Sequence, residues 1–299
     1  MADGLSASGL AGATNAPILL TKKNDIPNVT LKRVEKAKKV YIIGGESSID
    51  KSTENILKNK NIEVKRLQGS DRIKTSYNVA KEINSINKVN KVILTNAFKG
   101  EPDAMSVACV AVRDKAPIVL TNGKSVPFNT TGIESYAIGG TSSMSDSLVT
   151  STNSTRLGGT DRYDTNKKII NKFYSGVKEF YISSGTDLVY ALVGSTIAKY
   201  TPIVLVGENS NKTVLKGAEE LTIIGDLSID VIDQVVNVVY SDTIEKDYIS
   251  DEKYIDKIEQ SIINDIINSF GPISKDDIVD NTDDNSNPDN FPWDLDGIN

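Results

Sequence analysis

Arg156-Leu157-Gly158-Gly159-Thr160-Asp161-Arg162-Tyr163-Asp164-Thr165-Asn166 restates a phrase written ninety residues earlier, Arg66-Leu67-Gln68-Gly69-Ser70-Asp71-Arg72-Ile73-Lys74-Thr75-Ser76. Arg, Leu, Gly, Asp, Arg and Thr recur at matching offsets, six positions of eleven. Self-similarity at such a period marks a repeated supersecondary unit. Other phrases keep the beat. Ala16-Pro17-Ile18-Leu19-Leu20-Thr21 returns as Ala116-Pro117-Ile118-Val119-Leu120-Thr121 and as Thr201-Pro202-Ile203-Val204-Leu205-Val206. Tyr41-Ile42-Ile43-Gly44-Gly45 returns as Tyr136-Ala137-Ile138-Gly139-Gly140 and as Thr222-Ile223-Ile224-Gly225-Asp226. The reading is three copies of one unit, at 1–65, 66–155 and 156–240, followed by a segment of different character at 241–299. Asp3 and Asp103 both stand fourteen residues before their Pro, and Asp103 follows Arg66 by 37. Copy one is therefore expected to be incomplete, the equivalent of Arg66 falling roughly 35 residues before Met1.

Between the phrases, strand and helix signals alternate. Pro17–Thr21 is a short, uninterrupted apolar run, as expected of a parallel strand covered on both faces; Tyr41–Ile43 reads as another buried strand, and Ile62–Leu67, Lys91–Thr95, Pro117–Thr121, Glu179–Ser183 and Pro202–Val206 as further strands. Helices are expected over the small-residue stretch 1–15, from Asn28, from Ser48 or Asp50 to Lys58, and over Asp71–Ile86, Asp103–Val112 and Leu188–Lys199. A last strand is read at Val235–Tyr240. The alternation is the α/β signature. Ile255, Ile258, Ile262, Ile263, Ile266 and Ile267 predict an amphipathic helix over 244–270, and the Asp-rich residues 271–299 read as disordered. Asp283-Asp284-Asn285 lacks the glycine and closing Glu of a calcium loop, so the acidic tail is read as solvated.

Composition narrows the chemistry. The 299 residues contain no histidine, which removes histidine triads, histidine proton shuttles and the commonest zinc ligand. Cys109, the lone cysteine, sits in an apolar helical stretch and reads as a small buried hydrophobe. No apolar run approaches the roughly 18 residues of a membrane span. The net charge of −6 hides a partition: residues 1–240 hold 30 Lys and Arg against 24 Asp and Glu, a balance of +6, and residues 241–299 hold 4 against 16, a balance of −12. The repeats can thus take an anionic partner.

Each Gly-[Ser/Thr]-Asp-Arg unit follows a strand and opens a helix, where Ser70 or Asp71, and Thr160 or Asp161, can accept from an otherwise unpaired amide. Arg72 and Arg162 are less easily placed, because a cation in a first helical turn opposes the dipole. Their partner is either a carboxylate of the fold or the phosphate or carboxylate of a ligand held by the guanidinium fork. Gly44-Gly45 and Gly139-Gly140 lack the Gly-Lys-Ser/Thr of a phosphate loop and read as tight turns. Asp3 and Asp103, with Ser6 and Ser106, read as helix-capping residues.

Taken together, Arg-Leu-x-Gly-x-Asp-Arg at 66–72 and 156–162, Tyr163 and Thr165, Ala2-Asp3-Gly4-Leu5-Ser6-Ala7-Ser8, the Pro-led strands and Tyr41-Ile42-Ile43-Gly44-Gly45 resemble the cell wall binding repeat 2 family over about residues 2–240. The resemblance implies three small α/β modules around a pseudo-threefold axis, without catalytic residues, cofactor or metal. They would anchor a secreted surface protein to an anionic cell-wall polysaccharide. Other surface-layer proteins are further candidate partners; nucleic acid and membrane are not. By the same resemblance Arg72 and Arg162 become polymer contacts, with Lys22, Lys23 and Lys124, which follow the Pro-led strands, as further candidates. Two departures stand out: Ile73 where the family has Tyr, and Asp187-Leu188-Val189-Tyr190 in place of an Asp-Ala-Leu-Ser type. An alternative from another class is the C-terminal anchor of a wall hydrolase whose catalytic domain lies upstream. A nucleotide-binding α/β enzyme is permitted by fold class alone.

Overall fold

Short strands flanked by glycine alternate with helices, several of them capped by Asp50, Asp71, Ser145, Asp161 or Ser228, in the computed structural model, which describes residues 2–241. A 3-10 turn at Ala2–Ser6 leads into α1 (Ala7–Thr14), then α2 (Asn28–Val34), β1 (Lys39–Ile43), α3 (Lys51–Asn59) and β2 (Glu63–Leu67). The second copy supplies α4 (Arg72–Ile86), β3 (Lys91–Asn96), α5 (Glu101–Ser106), α6 (Ala108–Asp114), β4 (Ile118–Thr121), β5 (Glu134–Ile138), α7 (Asp146–Ser151) and β6 (Thr155–Leu157). The third supplies α8 (Arg162–Phe173), β7 (Glu179–Ser184), α9 (Val189–Gly194), β8 (Ile203–Val206), β9 (Glu220–Ile223) and α10 (Ile229–Val239). The helix and tail expected over 244–299 lie outside the described residues.

All strand pairs are parallel, in the orders β1-β2, β4-β3-β5-β6 and β8-β7-β9. In the two larger sheets the strand that follows the Asp-Arg helix is central: β3 lies between β4 and β5, and β7 between β8 and β9. Ile93 and Leu94, neighbours on β3, belong to different apolar clusters, which is why this strand reads as an uninterrupted hydrophobic run. The junctions at 65/66 and 155/156 fall inside β2 and β6, so each Arg-Leu pair finishes the sheet of the copy before it.

The strand expected at Pro17–Thr21 does not form. Its counterparts β4 and β8 pair only with the central strands β3 and β7, and no described residue supplies a central strand to copy one. Without that partner the run stays extended but unpaired, and Leu19 and Leu20 are 40% and 46% exposed where the matching Val119 and Leu120 are buried. For the same reason β1 pairs with β2 alone. The strand expected at Val235–Tyr240 is also absent: those residues close α10. Val231, Val235 and Val239 bury one face at a four-residue spacing, and the Ser228 hydroxyl accepts from the Val231 amide to cap the helix. The run of valines imitates a strand in composition but not in period. The stretch Asp103–Val112, expected as one helix, is divided between α5 and α6 at Val107.

The copies meet through the helices that follow the central-strand position. Gly9 and Gly12 of α1 bring its backbone against α6; a Cβ on either would stand 2.2 Å from the Ala116 carbonyl oxygen or 2.1 Å from that of Val112. Ser8 lies 3.3 Å from Ser195, oxygen to oxygen, beside the end of α9. One apolar cluster contains Leu5 of copy one, Met105 and Ile138 of copy two, and Ile169, Leu192 and Leu205 of copy three.

Candidate functional site

The repeated stretch does two separate jobs within eleven residues. Its first arginine is structural. The Arg66 side chain is 9% exposed; it donates to Glu54 Oε2 at 2.9 Å and to the carbonyls of Gly44 at 2.9 Å and Ile49 at 2.8 Å. Glu54, 5% exposed, also meets Lys58 and Lys51, and these cations, Lys58 foremost, pull its carboxyl down to about 2. Arg156 repeats the arrangement on the carbonyls of Gly139 and Met144, with Asp146 at 2.8 Å. Thr75 and Thr165 then accept from the amides of Gly69 and Gly159, closing the loop onto the helix. Asp71 accepts from the Lys74 amide, and Asp161 from those of Tyr163 and Asp164, as helix caps.

The second arginine makes fewer hydrogen bonds to the fold than the first. Arg72 donates from Nη1 to the Ala97 carbonyl at 2.8 Å, just beyond β3, and meets Glu101 only at 3.4 Å. Its side chain is 24% exposed. Arg162 likewise donates from Nη1 to the Gly185 carbonyl at 2.6 Å, just beyond β7. Each guanidinium is steered by one carbonyl at the carboxyl edge of its own parallel sheet, the edge where open α/β sheets receive ligands. Lys124 is exposed three residues beyond β4, whose end pairs with that of β3, so Arg72 and Lys124 share one sheet edge. Lys22 and Lys23 are exposed at the matching place in copy one, after the unpaired Pro17–Thr21 run. Among the described residues, the hydrogen bonds and ring contacts join no two of these five cations. Arg72 and Lys124 lie at the carboxyl edge of one sheet, Arg162 at that of another, and Lys22 and Lys23 after a run that joins no sheet.

The aspartates differ from expectation. Asp103 is not a cap, since Gly100 holds that position and offers no side chain. Its carboxylate instead reaches the turn after β5, where a Cβ on Gly139 (φ +122°) would stand 2.8 Å from Oδ2. Asp3 meets Gly44 (φ +115°) at the same 2.8 Å and accepts from the Ser48 hydroxyl. Only glycine allows both that backbone and that approach. The Asp103 carboxyl also lies across the junction between copies, hydrogen bonded to Thr165 and near Arg162. Burial pushes it up to about 6 against those two. Tyr163 packs on Gly185 and Gly207, where a Cβ would stand 2.3 Å from its ring or hydroxyl. Sequence reasoning assigned no role to Phe98. The available signal was loop length: Asn96 to Asp103 spans seven residues, and the matching Ser184 to Asp187 only three.

The family model for cell wall binding domain 2 matches residues 1–54, 66–149 and 156–235. The chain is 31% identical over 264 residues to N-acetylmuramoyl-L-alanine amidase LytC of Bacillus subtilis (strain 168), covering 81% of this chain and 52% of that protein. It is 31% identical over 216 residues to the amidase enhancer of the same organism, covering 70% of this chain and 30% of the enhancer. Among solved structures it resembles Cwp6 from Clostridium difficile, with a TM-score of 0.73, 30% identity and coverage of 80% of this chain and 42% of the other. Cwp8 from Clostridium difficile gives a TM-score of 0.71, 32% identity and coverage of 80% and 45%. The chain thus spans about half or less of the length of each of these relatives.

Proposed function

The chain belongs to the cell wall binding domain 2 family, and on that premise we propose that it anchors a protein noncatalytically to an anionic cell-wall polysaccharide, gripped by Arg72, Arg162 and Lys124 at the carboxyl edges of its sheets and by Lys22 and Lys23 after the unpaired run of copy one. Its place is the cell wall or surface. The observation that carries the reading is the contrast inside one motif. Arg66 and Arg156 each hold two carbonyls and a carboxylate of the fold, while Arg72 has one carbonyl, a 3.4 Å approach to Glu101 and the Phe98 ring, and Arg162 one carbonyl with Asp103 nearby, which leaves more of each fork for an acceptor. Guanidinium is suited to paired recognition of phosphate or carboxylate. Individually weak, salt-screened contacts repeated along a polymer multiply through effective concentration.

The test is sedimentation of the protein with purified cell walls. The chain co-sediments, and added salt or removal of the anionic polymer releases it. Arg72→Ala with Arg162→Ala lowers affinity by at least about tenfold, the loss of roughly one charged contact. Unchanged binding by the folded double variant removes these residues from the grip.

A second reading is favoured by the likeness to an amidase and an amidase enhancer. In it the chain is the wall-targeting part of a hydrolase, with the chemistry carried elsewhere in the polypeptide. Release of peptidoglycan fragments by residues 1–299 alone would overturn the noncatalytic assignment in both readings.

A further inference from the structure

Phe98 is 66% exposed, yet the loop that carries it is firmly built. The side chain of Asn96, itself buried, accepts from the amides of Phe98 at 2.9 Å and Lys99 at 3.0 Å, and donates to the Ser143 carbonyl at 2.7 Å. The Ala97 amide donates to the Thr121 carbonyl at 2.8 Å, and that of Gly100 to the Asn96 carbonyl at 3.1 Å. A Cβ on Gly100 would stand 2.6 Å from that same Asn96 oxygen, so the turn has no slack. The Arg72 guanidinium carbon lies 5.7 Å from the centre of the Phe98 ring, and Lys99 is exposed beside it. An aromatic ring left in water on a pre-ordered loop, with the Arg72 guanidinium against it, Lys99 next in the chain and Glu101 meeting Arg72 only at 3.4 Å, is organised for a partner that is apolar on one face and anionic at its rim. The matching loop of copy three, from Ser184 to Asp187, holds only Gly185 and Thr186 between its ends and carries no aromatic of its own; the ring beside it, Tyr163, is half-buried and packed on Gly185 and Gly207.

We propose that Phe98 is a sugar-stacking residue: its ring receives the C–H face of a pyranose while Arg72 and Lys99 take the acidic group that the sugar or its neighbour carries. The inference rests on the polymer-binding reading above and narrows it. The preferred ligand is a polysaccharide of acidic sugar rings, and a chain of polyol phosphates is a poorer one. The two copies that have an Asp-Arg segment are then unequal, one reading shape and charge and the other charge alone.

Two polymers separate the possibilities: an alternating hexuronic acid and N-acetylhexosamine polysaccharide, and unsubstituted poly(glycerol phosphate). Equilibrium binding is measured for the full chain at several salt concentrations. The wild type prefers the polysaccharide. Phe98→Ala loses about tenfold on it and nothing on poly(glycerol phosphate), and Phe98→Trp keeps wild-type affinity. The salt dependence of binding is unchanged in Phe98→Ala and flattened in Arg72→Ala, because only the second removes a charge. Phe98→Ala binding within twofold of wild type, equal losses on both polymers, or a wild-type preference for poly(glycerol phosphate) overturns the stacking role and leaves the anchoring reading standing. A wild-type chain that binds neither polymer nor cell walls removes both. The far-ultraviolet spectrum of Phe98→Ala, expected to match wild type for so exposed a side chain, guards against a folding artefact.

Discussion

Replacing Arg66 and Arg72 separately by alanine should have opposite consequences, although the two residues stand six apart in one motif. Arg66→Ala strips Glu54 of a buried partner at 2.9 Å and leaves the carbonyls of Gly44 and Ile49 without their donor. Breaking a buried pair by removing one member costs about 3–5 kcal/mol. Lys51 and Lys58 remain on Glu54 from half-exposed positions, so the loss falls at the low end, about 3 kcal/mol. Arg72→Ala removes one carbonyl contact and a 3.4 Å approach to a well-exposed Glu101, which predicts less than about 1 kcal/mol. For a unit of this size the respective melting shifts are roughly 6–12 °C and under about 4 °C. Calorimetry measures them, and wall sedimentation at a temperature where both variants are folded measures binding. Arg66→Ala should melt early and bind normally; Arg72→Ala should melt normally and bind poorly. Equal destabilisation of the two, or a binding defect confined to Arg66→Ala, refutes the division of labour. The Glu54 carboxyl adds a check on sign. Held down at about 2 in the fold against 4.5 unperturbed, it stabilises the protein above pH 4.5, and that contribution is lost as pH falls towards 2. Arg66→Ala should therefore show a shallower acid loss than wild type.

Two further outcomes are expected. Asp103, whose carboxyl is raised by burial to about 6 from 3.8, takes up a proton more readily folded than unfolded, so its contribution favours the fold below pH 3.8 and is lost as pH rises through 6. Urea midpoints of Asp103→Asn, relative to wild type, should thus gain as pH rises from 4 to 7, and parallel curves would show that the carboxyl is not buried at the junction. Hydrogen exchange should find alternate amides of β1 exchanging orders of magnitude faster than those of β5, because β1 has one bonded edge and β5 two. Uniform protection along β1 would mean that its second edge is covered.

The repeat, its parallel sheets and the helix starts at Asp71 and Asp161 were legible because each rests on local chemistry: an apolar run, a glycine, a capping oxygen. What escaped was set by neighbours. Pro17–Thr21 carries the same apolar pattern as β4, but pairing belongs to the partner strand and not to the run itself. The valines of α10 have strand-like side chains at helical spacing, and burial of Val231, Val235 and Val239 on one face decided the period. At the site, Arg72 and Arg162 were visible as cations in an unfavourable place at the start of a helix. Only the fold shows that Arg66 and Arg156 hold more carbonyls than they do. Asp103 was misread as a cap because its true neighbour, Gly139, lies 36 residues away.

Beads on a string can let go one at a time, and each lost bead weakens attachment by a step. The cluster that joins Leu5, Met105, Ile169 and Leu192 welds these beads at the middle. A lesion that melts any one of them robs the others of their shared apolar floor, so heat or denaturant should detach the protein from its wall abruptly, with no long-lived, half-attached form for proteases to trim.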